Sequence, residues 1–329
     1  MKKSTELKIR RKPDFGKEKI SILHEDSAIA VIFKPEGMLS VPYPGSRSRT
    51  AVDALEDLLR KNGTYSKNHR PFVVHRLDRD TSGVMMFAMT EQVQKRIMDN
   101  WQQIVTSRLY HAVAENPLDS SMVLPDFGTI DDSLAYNSHN IGFVPKIDDS
   151  PKISANTRKR ISTSGNGTEK SVYERNLSVE NGKPKFKTIS ARTNYKILLR
   201  GKSFTLFELS LDTGRKNQIR AHLSSKGYPL AGDENYRAKT DPFGRLLLHA
   251  RTLEFSHPVS GKQMKFEIPE SEDWLSLAKN GRKDSFPAPW LIREASSIKK
   301  ERDSHKNACN FERKTKNLDF IAKGMLRKK

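Results

Sequence analysis

Apolar and polar positions change period several times along this chain, and each change marks an element. In SILHEDSAIAVIFKP, Ser21 to Pro35, two apolar stretches flank a polar turn around Glu25 to Ser27, which predicts a strand pair that Pro35 and Gly37 bring to an end. From Thr50 to Asn62 the period lengthens to that of a helix. Val52, Leu55, Leu58 and Leu59 share one face, Thr50 caps it with Asp53 three residues on, and Gly63 stops it. GVMMFAMT, Gly83 to Thr90, is a continuous apolar run of buried-strand length. Thr90 caps a second helix, in which Val93, Ile97, Trp101 and Ile104 form a packing stripe. The strand Arg108 to Ala114 puts Leu109, His111 and Val113 on the expected core face and Tyr110 and Ala112 on the other. Further strands follow at Thr188 to Leu199 and Ser203 to Leu211, where Phe207, Leu209 and Leu211 alternate with polar neighbours. Thr213 is expected to cap a helix beginning TGRKNQIRAHL, and Gly227 to end it.

Two kinds of stretch lack such a period. From about Pro145 to Pro184 the chain is rich in Ser, Asn, Lys, Gly and Asp and reads as a flexible insertion within the folded domain. The ends are basic: residues 1–18 carry seven Lys/Arg against three Asp/Glu, and residues 281–329 carry fourteen against six. The expected division is a basic N-terminal extension over 1–20, one domain over 21–270, and a basic, partly disordered C-terminal extension over 271–329. In that last part Trp274, Phe286 and Trp290 either pack on the body or stack on bases, packing being the commoner outcome.

The net charge of +20 points to a polyanionic partner, nucleic acid first. No segment approaches the ~18 apolar residues of a spanning helix, so a membrane is not expected. The single cysteine, Cys309, excludes an intramolecular disulfide and a multi-cysteine zinc site, and fits a reducing cytoplasm. Phosphate-loop, dinucleotide, zinc-protease and serine-elbow motifs are absent, and the nine histidines show no metal-like pairing; His249 and His257 read as structural.

The candidate chemistry sits in VVHRLDRDTSG, Val73 to Gly83. Here one acid, Asp78, stands among His75, Arg76 and Arg79, cations that favour its ionised form, and before Thr81, Ser82 and Gly83, which suit a tight turn. The string His75 to Gly83 resembles the signature of the RluA family of pseudouridine synthases. The resemblance continues in order through IAVIFKPEGMLSVP (Ile29 to Pro42), SRLYHAVAE (Ser107 to Glu115), ARTNYKIL (Ala191 to Leu198), TGRKNQIRAHLSSKGYPLAGDENY (Thr213 to Tyr236) and RLLLHARTLEFSHPVSG (Arg245 to Gly261).

That resemblance implies an α+β fold, a mixed and mostly antiparallel sheet flanked by helices and loops, with the acid in a central basic cleft. It implies an enzyme that breaks the bond from ribose C1′ to uracil N1, turns the base and rejoins it through C5, without a cofactor or metal. It assigns the acid to Asp78, the ring against the base to Tyr110, the counter-charge of the acid to Arg220 and an apolar pocket wall to Ile219. Arg76, Arg79 and Arg215 are candidates for RNA contacts, Arg76 beside an extruded base. A monomer is expected, with no S4-like module before the domain. Ribosomal RNA is the first substrate and the tRNA anticodon stem-loop the second. Three departures from the family pattern bear on substrate fit: Lys216 and Asn217 replace a common Thr-His pair, Glu115 stands where glycine is usual, and Arg108 where lysine is common. Two rivals remain, a non-catalytic RNA-binding or ribosome-assembly factor and a glycosidase using Asp80 as a second carboxylate.

Overall fold

The computed structural model of the chain describes residues 19–145 apart from 44 and 47, residues 179–180 and 183–184, and residues 187–293 apart from 292. The insertion expected over 145–184 falls mostly outside these residues. Within it only a two-residue antiparallel pair is described, Val179–Glu180 (β9) with Lys183–Pro184 (β10).

The predicted strand pair forms β1 (Ser21–Glu25) and β2 (Ile29–Lys34), and the continuous apolar run forms β4 (Ser82–Ala88), buried along its whole length. A short β3 (Phe72–Val73) joins β4 at one edge. The long β5 (Val105–Glu115), β6 (Phe127–Ile130), β11 (Thr193–Arg200) and β12 (Phe204–Leu211) build the second half of the sheet, while β13 (Leu248–Ser256) returns to its middle and β14 (Gln263–Glu267) pairs with it. The order is β1-β2-β4-β13-β5-β12-β11-β6, and every pairing is antiparallel except β4 with β13. β7 (Ala135–Tyr136) and β8 (Gly142–Phe143) form a separate small ladder. The mixed, mostly antiparallel α+β architecture agrees with expectation.

Helices cover both faces of the sheet. On one, α1 (Ala51–Asn62) contributes Leu55 and Leu59 to a core shared with Met85, Phe87, Phe207 and Leu209, each such buried side chain stabilising the fold by roughly 1.5–3 kcal/mol. Its boundaries follow the capping box of Thr50 and Asp53 and the left-handed Gly63. On the other face, α2 (Glu91–Asp99), capped by Thr90, and α3 (Trp101–Ile104) bury Val93, Ile97 and Ile104 against Val84 and Met86. Further along that face α5 (Glu272–Asn280) buries Trp274 against Val113, Phe204 and Leu206. The Trp290 indole donates to the Ala238 carbonyl at 2.9 Å, so packing on the body continues beyond residue 270. No helix among the described residues is long and apolar enough to cross a membrane.

Two expectations need correction. The principal core face of β5 is that of Tyr110, Ala112 and Ala114, because helices cover both sides of this central strand; Val113 and His111 are buried on the other side. Nor does Thr213 cap a helix. The stretch from Thr213 to Asn217 is a turn folded around the Gln218 side chain, whose Oε1 accepts from Thr213 Oγ1 at 2.7 Å and from the Arg215 amide at 3.0 Å. The helix α4 spans Gln218–Ser225, with Asn217 before it in the left-handed conformation.

The one parallel seam is narrow, pairing Ser82 with His249 and Gly83 with Ala250. Gly83 has φ +131, and a Cβ there would overlap the Ala250 carbonyl oxygen and lie 2.7 Å from its C and Cα. Only glycine meets both demands. Replacing Gly83 with Ala should therefore lower unfolding stability by about 2–4 kcal/mol through overlap and backbone strain. Urea denaturation of the two proteins checks this, and an unchanged midpoint would show that the seam can open at little cost.

Candidate active site

The seam fixes where the acid lies. Immediately before it the chain makes a turn closed by the Thr81 amide donating to the Asp78 carbonyl at 3.1 Å, and the Asp78 side chain enters an open cleft of about 400 Å³. Tyr110 from β5, Arg215 from the turn before α4, Ile219 and Arg220 from α4, and Arg76 line the same cleft. Six of the seven candidate site residues thus converge from segments far apart in sequence. Arg79 does not join them: its Nε donates to the Gly37 carbonyl at 3.1 Å, and it is not among the lining residues.

Arg220, which the resemblance assigns as counter-charge of the acid, is brought to the cleft but does not bond Asp78 directly. Both of its fork nitrogens, Nε and Nη2, donate to Asp233 at 2.7 Å, in a pair almost wholly buried. Burial opposes its charge, yet the Asp233 carboxylate outweighs that and raises its pKa, with a smaller contribution from the nearby Asp78. Asp78 is held instead by Asn217, whose Nδ2 and backbone N–H both donate to Oδ2, at 2.8 and 3.2 Å. The Nε/Nη2 edge of the Arg220 guanidinium is taken by the buried Asp233.

His75 is not one of the cations around the acid either. Desolvation, helped by the charge of Arg108, brings its pKa down to about 3, and its neutral Nε2 accepts the Met86 amide at 2.9 Å. Burial raises the Tyr110 pKa, Arg108 opposes this and Asp78 adds to it, so the phenol keeps its proton at neutral pH.

Several lining or supporting residues carried no site reading in the sequence. Trp101, read there as part of a packing stripe, also lines the cleft, with Arg108 over its ring at 5.5 Å. Beneath the acid turn lies Lys34, fully buried at the end of β2. Its Nζ donates to the carbonyls of Pro35, Met38 and Arg79 at 2.8, 2.7 and 3.1 Å, tying the Lys-Pro-x-Gly turn to the acid turn. A lysine closing an otherwise apolar strand was the available signal. Arg245 adds a second tie, with Nη1 on Glu36 at 2.9 Å and Nη2 on Ser82 Oγ at 2.7 Å.

The three departures from the family pattern now separate by position. The Glu115 carboxylate is buried and accepts from the Lys239 and Thr240 amides and the Thr240 hydroxyl at 2.7, 2.7 and 2.8 Å, a structural staple for that loop. Arg108 lines the cleft and donates to the Leu211 carbonyl at 2.9 Å. Asn217 touches the acid itself.

A mixed sheet with one parallel seam, an acid turn leading into that seam and a cleft lined by four arginines agree with a pseudouridine synthase fold. The chain belongs to the RNA pseudouridylate synthase family, whose model matches residues 28–225. It is 32% identical over 270 residues to the uncharacterized RNA pseudouridine synthase YlyB of Bacillus subtilis, covering 80% of this chain and 74% of that one. It is 31% identical over 279 residues to the ribosomal large subunit pseudouridine synthase D of Pseudomonas aeruginosa, covering 80% and 72%. Among solved structures, human RNA pseudouridylate synthase domain containing 4 shares the fold with a TM-score of 0.54 at 21% identity, over 78% of this chain and 91% of that one.

The buried ammonium makes stability depend on pH. Burial lowers the Lys34 pKa to about 7, against the pull of Asp80 and then Asp78, while the unfolded chain has the ordinary value near 10.5. Between those values the unfolded state binds more protons, so folded stability rises with pH. Relative to Lys34→Met, the wild-type protein should therefore gain stability from pH 6.5 to pH 9 in urea titrations. A difference independent of pH would show that Lys34 does not titrate in this window.

Proposed function

We propose that the chain isomerises a uridine of ribosomal RNA to pseudouridine, with Asp78 as the acting acid and without a cofactor. The observation that carries this reading is the convergence of Asp78, Tyr110 and Ile219 in one cleft, since these supply an acid, a flat ring and an apolar wall within reach of a single base. The C1′–N1 bond breaks, uracil turns within the cleft, and C1′ joins C5. The C5 proton leaves and N1 gains one, so RNA mass does not change. The Asp78 carboxylate attacks C1′ or takes a proton from the ribose, and either route uses the ionised oxygen. Tyr110, protonated at neutral pH, offers its ring for stacking and an O–H rather than a phenolate.

Ribosomal RNA comes first because curated relatives carry ribosomal large subunit activity in their names. The tRNA anticodon stem-loop is the second candidate. Arg76 and Arg215, exposed at the cleft, are suited to phosphate, and Arg76 to the gap left when the base leaves its stack. A glycosidase reading fits the geometry less well. Asp80 is not among the lining residues and its charge acts on Lys34 and Arg245, while Asp212 sits exposed at the rim bonded to Asn194. A binding-only factor has no use for the buried apparatus that positions Asp78.

Asp78→Asn is nearly isosteric and should keep fold and RNA affinity while slowing tritium release from C5-labelled RNA on the order of 10³-fold or more. Turnover within a few-fold of wild type would remove Asp78 from the reaction.

A further inference from the structure

We propose that Asn217 is the positioning residue of the acid: by holding Oδ2 of Asp78 with its backbone and side-chain N–H groups, it leaves Oδ1 as the oxygen presented to the ribose. This inference rests on Asp78 being the acting acid. Both donors reach the same oxygen, at 2.8 and 3.2 Å, and no described residue bonds the other. Asp78 is only half-buried, in a turn whose next two residues are half-buried as well, so without such a hold its side chain would sample several rotamers. One oxygen pinned from two directions leaves little freedom about the Cβ–Cγ bond.

The placement depends on an unusual backbone. Asn217 has φ 57 and ψ 18, the left-handed region that asparagine tolerates better than most residues. It is 8% exposed, immediately precedes α4, and its carbonyl accepts the first helical amide, that of Ala221, at 2.9 Å. Its own amide is thereby turned toward Asp78. Gln218, buried beside it, locks the turn from behind through Thr213 and the Arg215 amide, and donates to the Arg192 carbonyl at 2.9 Å. The acid's holder is thus itself fixed by the hydrogen bonds of Gln218. Arg220, engaged with Asp233 one helical turn further on, keeps α4 in place and leaves the direct contact to Asn217.

Three substitutions separate positioning from folding. Asn217→Gly retains the left-handed backbone and its N–H and removes the side-chain donor; Asn217→Asp keeps the shape and turns an acceptor toward a carboxylate; Asn217→His restores an N–H at a position where the left-handed conformation is tolerated. Single-turnover rates on RNA should fall about 10- to 100-fold in the glycine variant, the loss of one charge-assisted hydrogen bond, and further in the aspartate variant. KM and RNA affinity should stay within about twofold, and the histidine variant should recover most of the rate. A glycine variant at wild-type rate while Asp78→Asn is inactive would overturn the role of Asn217 and leave that of Asp78 standing. Loss of kcat together with melting temperature, unrescued by histidine, would assign Asn217 to folding alone and also overturn the proposal. Activity in Asp78→Asn would instead defeat the reading on which it rests.

Discussion

At the centre of the sheet, β4 and β13 run side by side for only two residue pairs, and there Gly83 lies so close to Ala250 that no side chain fits between them. This close approach of backbone to backbone joins the β1-β2-β4 half to the β5-β12-β11-β6 half. It also sets the end of the acid turn, because residues 78–81 must reach Ser82 in register with His249. Ser82 is held further by its hydroxyl, 2.8 Å from His249 Nδ1 and 2.7 Å from Arg245 Nη2. Once the seam is closed, the acid has one place to be, opposite the turn that begins α4.

Much of this was legible in the sequence. Thr50 with Asp53, Thr90 and Gly63 are local signals, and the helix from Thr50 to Gly63 formed as read, because a cap needs only its own next few residues. Thr90 started α2 as read, but Asn100 ended it before Trp101 and Ile104, which the apolar stripe puts on the same helix. The buried run in β4 was equally plain. The convergence of Asp78, Tyr110, Ile219 and Arg220 followed from the family resemblance, since their spacing alone says nothing of distance in space. What failed was of another kind. Thr213 carried the local signature of a cap, but a glutamine side chain folded into the turn and moved the helix start to Gln218. The resemblance made Arg220 the counter-charge of Asp78; the two charges do act on each other, but the direct bonds of Nε and Nη2 go to the buried Asp233, thirteen residues on. His75 read as a cation and is neutral because burial overrides its sequence neighbours.

The charges around the cleft have different duties according to burial. Lys34, Arg220 and Arg245 lie under the site with carbonyls or carboxylates as partners, and they fix turns and helices to one another. Arg76 and Arg215 stand exposed at the cleft, where a guanidinium can meet phosphate at little desolvation cost. A chain with net charge +20 therefore spends some of its cations as internal ties, and the balance between these roles could not be read from the total.

The central claim is that this cleft isomerises uridine in ribosomal RNA through Asp78. Pseudouridine mapping of total RNA, from cells with the gene, without it, and with it restored as wild type or Asp78→Asn, tests this most directly. The account predicts that at least one ribosomal RNA position loses its pseudouridine on deletion, regains it with the wild-type protein and does not regain it with the variant. Identical maps in all four, or restoration by Asp78→Asn, would contradict it.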